Sequence, residues 1–282
     1  MKIKKIVITL LTVVLVGFGV CCFGYPTLSN MINSYCNESR IEEYNTVVNS
    51  MSEAQTEEIY KAAEKYNEAV AHTSYYDSKK SSEYKEILSQ YNDILDMSNG
   101  LIGYIEIPSI NVKLPIYHGE SEEVLKSGAA HIEQTSFPIG GNDTHACISA
   151  HSGYPTARLF DDIDELQEGD SIYIKTLGKQ LIYKVSNIDV AIPNEVAGKL
   201  DILQGKDILT LITCYPYGIN SHRLLVNANR VQDEAVITAD DIQNGTSFSI
   251  INILIIGLIF LSVGIFLIIY IKHMKAKKQA SR

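Results

Sequence analysis

Cysteine is scarce in this chain, which has five cysteines among its 282 residues. Cys21 and Cys22 lie in an apolar N-terminal run, so only Cys36, Cys147 and Cys214 remain for a folded domain. Three widely spaced cysteines make no disulfide framework, and their odd number leaves at least one thiol free. A lone cysteine in an apolar strand is more often a small core residue than a nucleophile, so a free thiol needs an explanation.

Positive charge is also scarce, because the central part of the chain contains few basic residues. Eight of the 24 Lys and Arg residues lie at the two ends, three before residue 6 and five after residue 271. The middle therefore holds 16 basic residues against 33 acidic ones, a net charge of −17. This balance argues against nucleic acid as a partner and for a soluble, exported domain.

Two long apolar runs, residues 6–23 and 248–271, contain no charged residue. The second is long enough to cross a bilayer with some tilt, and the first is just long enough. Basic residues precede the first run and follow the second, which predicts that both termini lie in the cytoplasm and the middle lies outside. A cleaved signal peptide is the alternative for the first run, although the following CCFGYP lacks the usual cleavage pattern. We expect an uncleaved signal anchor.

The segment from residue 25 to residue 100 is predicted to be helical. Apolar residues at spacings of three and four, from Ile41 to Met51, indicate an amphipathic helix. Thr56 precedes two glutamates and is predicted to be an N-cap. A further helix is predicted over Ser82 to Met97, after a polar loop.

From Leu101 the pattern changes to seven or eight short apolar strands separated by Gly, Asp, Asn and Pro. Such spacing predicts a mainly β domain, either a sandwich or a closed barrel. The predicted organisation is a cytoplasmic N-terminus with a transmembrane signal anchor (1–24), an extracellular helical region (25–100), a β domain (101–232), a polar linker (233–247), a transmembrane helix (248–271) and a basic cytoplasmic tail (272–282).

Catalysis by a thiol needs a proton carrier and a group that stabilises an oxyanion. Cys214 ends the predicted strand TLITC, and Arg223 begins the next strand. If the two strands form a hairpin across the loop YPYGINSH, these side chains face each other near its mouth. The alternative for Arg223 is a surface ion pair, and the alternative for Cys214 is an inert core thiol.

Five histidines of the β domain are candidate proton carriers. His151 differs from the rest because it ends the strand HACISAH and opens into the loop SGYPTARLF, where a side chain can be presented to substrate. His145 begins the same strand and is expected at its far end. His222, next to Arg223, is expected to pack or to cap the turn. Cys147 shares the strand parity of His151 but lies four residues before it, so we interpret it as a core residue.

These residues together resemble the sortases, the cysteine transpeptidases of Gram-positive cell surfaces. The resemblance rests on IGYIEIPSINVKLPIY, on GAAHIEQTSFPIGGNDTHACISAHSGYPTARLF, and on TLITC followed nine residues later by arginine. It covers residues 102–231 closely. The long N-terminal helical region and the second apolar run are similar to class C sortases, which polymerise pilins. The resemblance implies a closed eight-stranded sortase-type β-barrel with N-terminal helices and a lid loop, flanked by two transmembrane helices.

The resemblance also implies a role for each site residue. Cys214 is the nucleophile that attacks the Thr–Gly carbonyl of an LPXTG-like sorting signal. His151 is the acid and base, and Arg223 stabilises the oxyanion or positions the substrate. An amine then resolves the thioester, either a pilin lysine or the cross-bridge of a cell-wall precursor. No metal or organic cofactor is implied.

One feature of class C sortases is missing. Many carry an Asp-Pro-aromatic motif in a lid over the cleft, whereas the nearest match here is Asp77, Ser78 and Lys79. Asp77 is a candidate partner for Arg223, Lys79 stands where an aromatic residue is expected, and Tyr75 or Tyr76 is the candidate plug. The departure concerns the lid and not the catalytic residues.

Three other functions stay open at this stage. A housekeeping-type sortase attaches single proteins to peptidoglycan, and a cysteine protease resolves the thioester with water. A membrane-tethered surface domain with an inert Cys214 requires no catalysis at all.

Overall fold

The computed structural model describes residues 2–71 and 82–231. Contacts divide the chain into two compact units, residues 1–28 with 237–282 and residues 29–236. The predicted linker, the second predicted transmembrane helix and the basic tail, residues 233–282, lie outside the described residues. So does the candidate lid, which falls within residues 72–81.

The chain begins with helices and continues as a β domain. The helices are α1 (Lys2–Ser50), α2 (Glu53–Ala71), α3 (Ser82–Ser89), α4 (Glu122–Ser127) and α5 (Pro193–Val196). The strands are β1 (Leu101–Ile107), β2 (Val112–His118), β3 (Ala129–His131), β4 (Thr144–Ser149), β5 (Ser171–Thr176), β6 (Lys179–Ala191), β7 (Asp207–Tyr215) and β8 (His222–Val231).

Within the described residues, one helical stretch is long and apolar enough to cross a membrane, Val14–Ser50 within α1. Its large apolar side chains between residues 11 and 28 are mostly exposed, as in Phe18 and Phe23. Exposed apolar surface of this extent agrees with the predicted N-terminal anchor.

The amphipathic part of α1 packs on the β domain as the apolar spacing predicted. Ile41, Tyr44 and Val48 are buried. The Tyr44 hydroxyl donates to the carbonyl of Ile102 at 3.1 Å and accepts from the amide of Leu177 at 2.8 Å. Burial raises the pKa of Tyr44 to about 12, so the hydroxyl stays neutral.

Two helix boundaries differ from their predictions. α2 begins at Glu53, not at Thr56, because Ser52 and Gln55 bond reciprocally and satisfy the first amides of the helix. The predicted helix over Ser82 to Met97 ends at Ser89, and a short 3-10 turn, Tyr91–Asp93, follows. Beyond this turn, Leu95 takes a left-handed φ of 62° and is buried in the core.

The β domain is a closed eight-stranded barrel with the strand order β1-β2-β3-β4-β7-β8-β6-β5. The closed form is the one that the resemblance implied, and it decides between the sandwich and the barrel. Two neighbouring pairs are parallel, β2 with β3 and β4 with β7, and the other pairs are antiparallel. Closure leaves no free sheet edge.

Alternate residues of the strands pack on two sides of the barrel wall. In β7, Leu209 and Leu211 belong to the main core inside, whereas Ile212 belongs to a second cluster on the outer face. This outer apolar cluster consists of Ile132, Cys147, Ala191, Leu200, Ile212 and Leu225, with Val196 of α5 packed against it.

Candidate active site

Cys214 lies near the end of β7, on the outer face of the barrel. Strand alternation places it two positions beyond Ile212 and on the same side. Ile212 is buried, whereas Cys214 is half-buried. The thiol is therefore accessible to solvent, because Cys214 lies just beyond the outer apolar cluster that buries Ile212.

Arg223 is paired directly with Cys214 across the β7–β8 hairpin. The prediction that the two residues face each other near the mouth of the hairpin is confirmed. The Arg223 guanidinium donates to the carbonyls of Asn220 at 3.2 Å and His222 at 3.0 Å. Among the ion pairs within residues 2–71 and 82–231, none involves Arg223.

His151 lies two residues beyond the end of β4, not at the last strand position as the sequence predicted. β4 and β7 are parallel, and Ser149 pairs with Ile212. Two residues further along each chain, His151 is level with Cys214, because parallel neighbours keep their register.

Two side-chain bonds extend this register beyond the strand. The Thr213 hydroxyl donates to the carbonyl of Ala150 at 2.8 Å, and the Ser152 hydroxyl donates to the carbonyl of Cys214 at 2.7 Å. Each bond crosses from one catalytic segment to the other. The backbone on both sides of His151 is therefore attached to the backbone at Cys214.

The imidazole of His151 is half-buried and stacks on the ring of Tyr154, with centroids 5.3 Å apart and an interplanar angle of 11°. Burial lowers the pKa of His151, while Glu122 raises it and Lys126 lowers it. Glu122 and Lys126 form an ion pair on α4 at 2.6 Å. The uncharged form of His151 is favoured, which suits a group that must first accept a proton.

Residues 152–161 form a compact loop after His151, which we name the histidine loop. The carboxylate of Asp161 accepts the amides of Gly153 at 3.1 Å and Leu159 at 2.9 Å. The amide of Phe160 donates to the carbonyl of His151 at 2.9 Å. The loop thus returns to the residue from which it starts, and this limits the positions that the histidine backbone can take.

Sequence reasoning missed Ser152, Tyr154 and Asp161 as supports of His151. Only their closeness to His151 along the chain could have suggested them. Their partners are a carbonyl on another strand, a ring face and two loop amides, and a local pattern does not report such partners.

The other histidines of the barrel have structural partners. His145 bonds to Thr210 at 2.7 Å and to the carbonyl of Asp201 at 3.0 Å, at the opposite end of β4 as predicted.

His131 is fully buried, and its Nδ1 lies 2.9 Å from the hydroxyl oxygen of Tyr91. Burial lowers the pKa of His131 to about 3. His118 bonds to two backbone carbonyls. His222 bonds to Ser221 at the start of β8, at the turn where it was expected.

Cys147 is fully buried in the outer apolar cluster, as interpreted from the sequence. Burial raises the pKa of the Cys147 thiol. Because the reactive form of cysteine is the thiolate, Cys147 is a poor candidate for a nucleophile. Of the two barrel cysteines, only Cys214 combines access to solvent with an imidazole and a guanidinium nearby.

The candidate lid residues Tyr75, Tyr76, Asp77 and Lys79 lie outside the described residues. In the part of the chain that is described, no group of three or more His, Cys, Asp or Glu side chains could hold a metal ion.

A thiol, an imidazole and a guanidinium at one end of three neighbouring strands suit acyl transfer through a thioester. Comparison with known proteins agrees with this class. The sequence model of the sortase domain matches residues 105–231. The crystal structure of sortase C1 from Streptococcus agalactiae is 39% identical with a TM-score of 0.64, covering 70% of this chain and 100% of that chain.

Two further relatives extend the comparison. Sortase C from Clostridium perfringens, solved with the C-terminal cell wall sorting motif, is 40% identical with a TM-score of 0.58, over 69% of this chain and 99% of that one. Sortase A from Bacillus anthracis is 32% identical over 137 residues, which are 48% of this chain and 62% of that protein. The chain belongs to the sortase family, and its structural neighbours are of class C.

Proposed function

We propose that this protein is a membrane-anchored cysteine transpeptidase that joins a sorted surface protein to an amine. It cleaves an LPXTG-like sorting signal between Thr and Gly. The observation that carries the proposal is the strand pairing of Cys214 with Arg223. The sorting motif bound to the Clostridium perfringens relative supports the substrate class.

The proposed reaction begins with proton transfer. Neutral His151 accepts the thiol proton of Cys214, and the resulting thiolate attacks the Thr carbonyl. Arg223 turns from its loop carbonyls to the developing oxyanion. The C–S bond forms first and gives a tetrahedral oxyanion; when this intermediate collapses, the Thr–Gly C–N bond breaks and His151 gives its proton to the leaving amine.

The second half of the reaction uses the same groups in reverse. An acceptor amine attacks the thioester, a new C–N bond forms, and the C–S bond breaks with its electron pair returning to the sulfur. His151 takes the proton that the amine releases. Because no net oxidation occurs, the reaction needs no redox partner.

The acceptor that we propose is a lysine of a pilin subunit, since the structural neighbours are class C sortases. The alternative is a cell-wall precursor amine, as in a housekeeping-type enzyme. That alternative draws support from curated relatives named sortase A, whose length the chain covers by 62% or less.

The full-length protein, incubated with a sorting-signal peptide, tests the chemistry by mass spectrometry of the Cys214 adduct. A thioester on Cys214 is expected in the wild type and in Cys147→Ala, and none in Cys214→Ala. Transpeptidation by Cys214→Ala would contradict the assignment of the nucleophile. Iodoacetamide labelling of the native protein identifies an inert surface domain, in which Cys214 would stay unlabelled.

The choice of acceptor needs a separate competition. A lysine-containing peptide with a blocked α-amine and a peptide with a free α-amine are offered together, and the products are weighed. The pilin-type proposal expects the ε-amine product. A predominant α-amine product would favour housekeeping anchoring, and predominant hydrolysis would favour a protease.

We further propose a two-pass topology in the segment order given by the sequence. The anchor is residues 1–24, the helical region 25–100, the barrel 101–232, the linker 233–247, the second span 248–271 and the tail 272–282. Tags at either terminus should resist external protease in intact cells while the barrel is cut. A C-terminal tag that is digested from outside would overturn this topology.

A further inference from the structure

Three polar side chains of α1 contact the histidine loop. The Ser29 hydroxyl donates to the carbonyl of Thr156 at 2.8 Å, and the Asn33 amide donates to the same carbonyl. The amide oxygen of Asn30 accepts the backbone N–H of Arg158 at 2.9 Å. The middle of α1 thus bonds to two backbone groups of a loop more than 120 residues away.

The arrangement of these side chains follows from helix geometry. Ser29 and Asn33 are one turn apart, so both project towards the same carbonyl. Asn33 also donates to the carbonyl of Ser29 at 3.2 Å, which holds its side chain in place. Serine and asparagine are weak helix formers, so their place inside a long helix is explained by the contacts that they make outside it.

The contacts pass from α1 to the catalytic histidine through the loop itself. Thr156 and Arg158 flank Ala157, whose amide donates to the carbonyl of Tyr154 at 3.4 Å. Tyr154 carries the ring on which His151 stacks. On the other side of the loop, Phe160 bonds to the His151 backbone.

Buried Leu159 and Phe160 fix the far end of the histidine loop, so α1 acts on its more exposed middle, around Thr156 and Arg158. The loop contains neither strand nor α-helix, and Arg158 is exposed. Without α1, the Thr156 carbonyl loses both donors, and an unpaired carbonyl draws the backbone towards water. A displaced Tyr154 would carry the imidazole away from Cys214, where a shift of about 1 Å can cost roughly a hundredfold in rate.

We propose that Ser29, Asn30 and Asn33 are positioning residues for His151. Through them, the helix that carries the membrane anchor holds the histidine loop in its catalytic position. The inference rests on the proposed function, because it assumes that His151 transfers the protons. It assigns a catalytic purpose to a segment outside the barrel.

The donor and acceptor pattern allows a sharp test with the full-length protein in membranes or detergent. The Asn33 amide donates to the Thr156 carbonyl, so Asn33→Asp replaces this donor by an acceptor that faces another acceptor. We expect kcat to fall roughly tenfold at an unchanged KM for the sorting peptide. Asn30 accepts, so Asn30→Ala should lower kcat several-fold, and Asn30→Asp should restore most of that loss. Asn49→Asp, an exposed position on the same helix, is the matched control.

Rates are expressed per alkylatable Cys214, and a pH profile is recorded for each variant. If the three residues position His151, the apparent pKa of the limb of the pH–rate profile that is assigned to His151 should shift in Asn33→Asp and Asn30→Ala. In Asn30→Asp it should be close to the wild-type value. Equal effects of the two aspartate substitutions would overturn the proposal. So would a rate loss that disappears after correction for active sites while the pH profile stays fixed.

His151→Ala separates this inference from the function on which it rests. If that variant keeps its rate, the proton carrier is misassigned and the inference falls with it. If His151→Ala is inactive while the α1 variants match Asn49→Asp, transpeptidation stands and the positioning role alone is wrong.

Discussion

Two cysteines share the outer face of the barrel and differ in their exposure to solvent, so we expect them to differ in reactivity. Cys147 is level with Thr210 in the β4–β7 pair and is fully buried with Leu200 in the outer apolar cluster. Cys214 lies four residues beyond that level on β7, where the cover ends. Desolvation disfavours a thiolate at the first site, and access to imidazole favours reaction at the second.

His151 should contribute far more to the rate than the other histidines of the barrel. His151→Ala is expected to lower kcat by about 10² to 10⁴-fold, the usual contribution of a general acid–base group. His145→Ala and His131→Ala remove structural bonds, so they should lower the unfolding temperature and leave the rate per active site nearly unchanged. Steady-state kinetics with active-site titration checks this; equal rate losses at all three positions would refute the assignment.

The ion pair on α4 should tune His151 in two opposite directions. Glu122→Gln is expected to lower the pKa of His151, and Lys126→Gln is expected to raise it. Both shifts should shrink in high salt, because the two side chains are solvent-exposed. Titration of the His151 imidazole by NMR measures them, and shifts of the same sign in both variants would contradict the assignment.

Arg223 should not be replaceable by lysine. If its planar fork stabilises the oxyanion, Arg223→Lys should lose nearly as much as Arg223→Ala, roughly 10² to 10³-fold in kcat. The measurement is kcat for transpeptidation of a sorting peptide by both variants. A lysine variant with a near-normal rate would reduce Arg223 to a general positive charge.

At the scale of elements, the proposed catalytic residues come from chain segments that reach the same side of the barrel. Parallel β4 and β7 end at the same side of the barrel, and β8 begins there because it is antiparallel to β7. His151, Cys214 and Arg223 therefore meet without any long excursion of the chain. The histidine loop and the β7–β8 loop leave the barrel at the same place.

For the candidate lid, which lies outside the described residues, we predict only weak closure over the cleft. A partly exposed pair of Asp77 with Arg223 is worth only about 0–1 kcal/mol, and Lys79 adds no aromatic burial. Asp77→Ala should therefore raise the iodoacetamide reaction rate of Cys214 only a few-fold. Tyr75→Ala or Tyr76→Ala should raise it more if either ring is the plug.

The control for the lid is Asp93→Ala, which removes an exposed carboxylate in the turn after α3. Its reaction rate should equal that of the wild type. If no substitution among Tyr75, Tyr76 and Asp77 changes the alkylation of Cys214, lid gating does not apply to this protein.

At the scale of the whole molecule, the buried histidine His131 couples stability to pH. Its pKa is about 3 in the folded protein, below the ordinary value of 6.5. Between these values only the unfolded chain binds the proton, so stability is lost as the pH falls. From His131 alone, the free energy of unfolding should be about 2 kcal/mol lower at pH 5 than at pH 7.

Denaturant unfolding of the full chain at the two pH values measures this difference. NMR should show the His131 ring still neutral at pH 5, since its partners Tyr91 and Ser136 exclude water. Burial lowers the pKa of His145 as well, and it acts in the same direction. A free energy of unfolding that stays constant from pH 7 to pH 5 would contradict the prediction.

Much of the site could be predicted from the sequence because it depends on short-range patterns. The strand alternation and the short hairpin loop were enough to pair Cys214 with Arg223. The apolar spacing from Ile41 onwards predicted which face of α1 is buried. The strand-end position of His151 followed from the apolar strand pattern and the loop after it, to within two residues.

Only the tertiary structure decided how His151 is held. Ser152 bonds to a carbonyl on another strand, and Asn30 and Asn33 contact a loop more than 120 residues away. It also decided that the barrel closes and that the predicted second helix stops at Ser89. Local patterns report which residues share a strand or a helix face. Tertiary packing determines the partners that are distant in sequence, because it brings a side-chain donor or acceptor next to a backbone group that has no partner in its own loop.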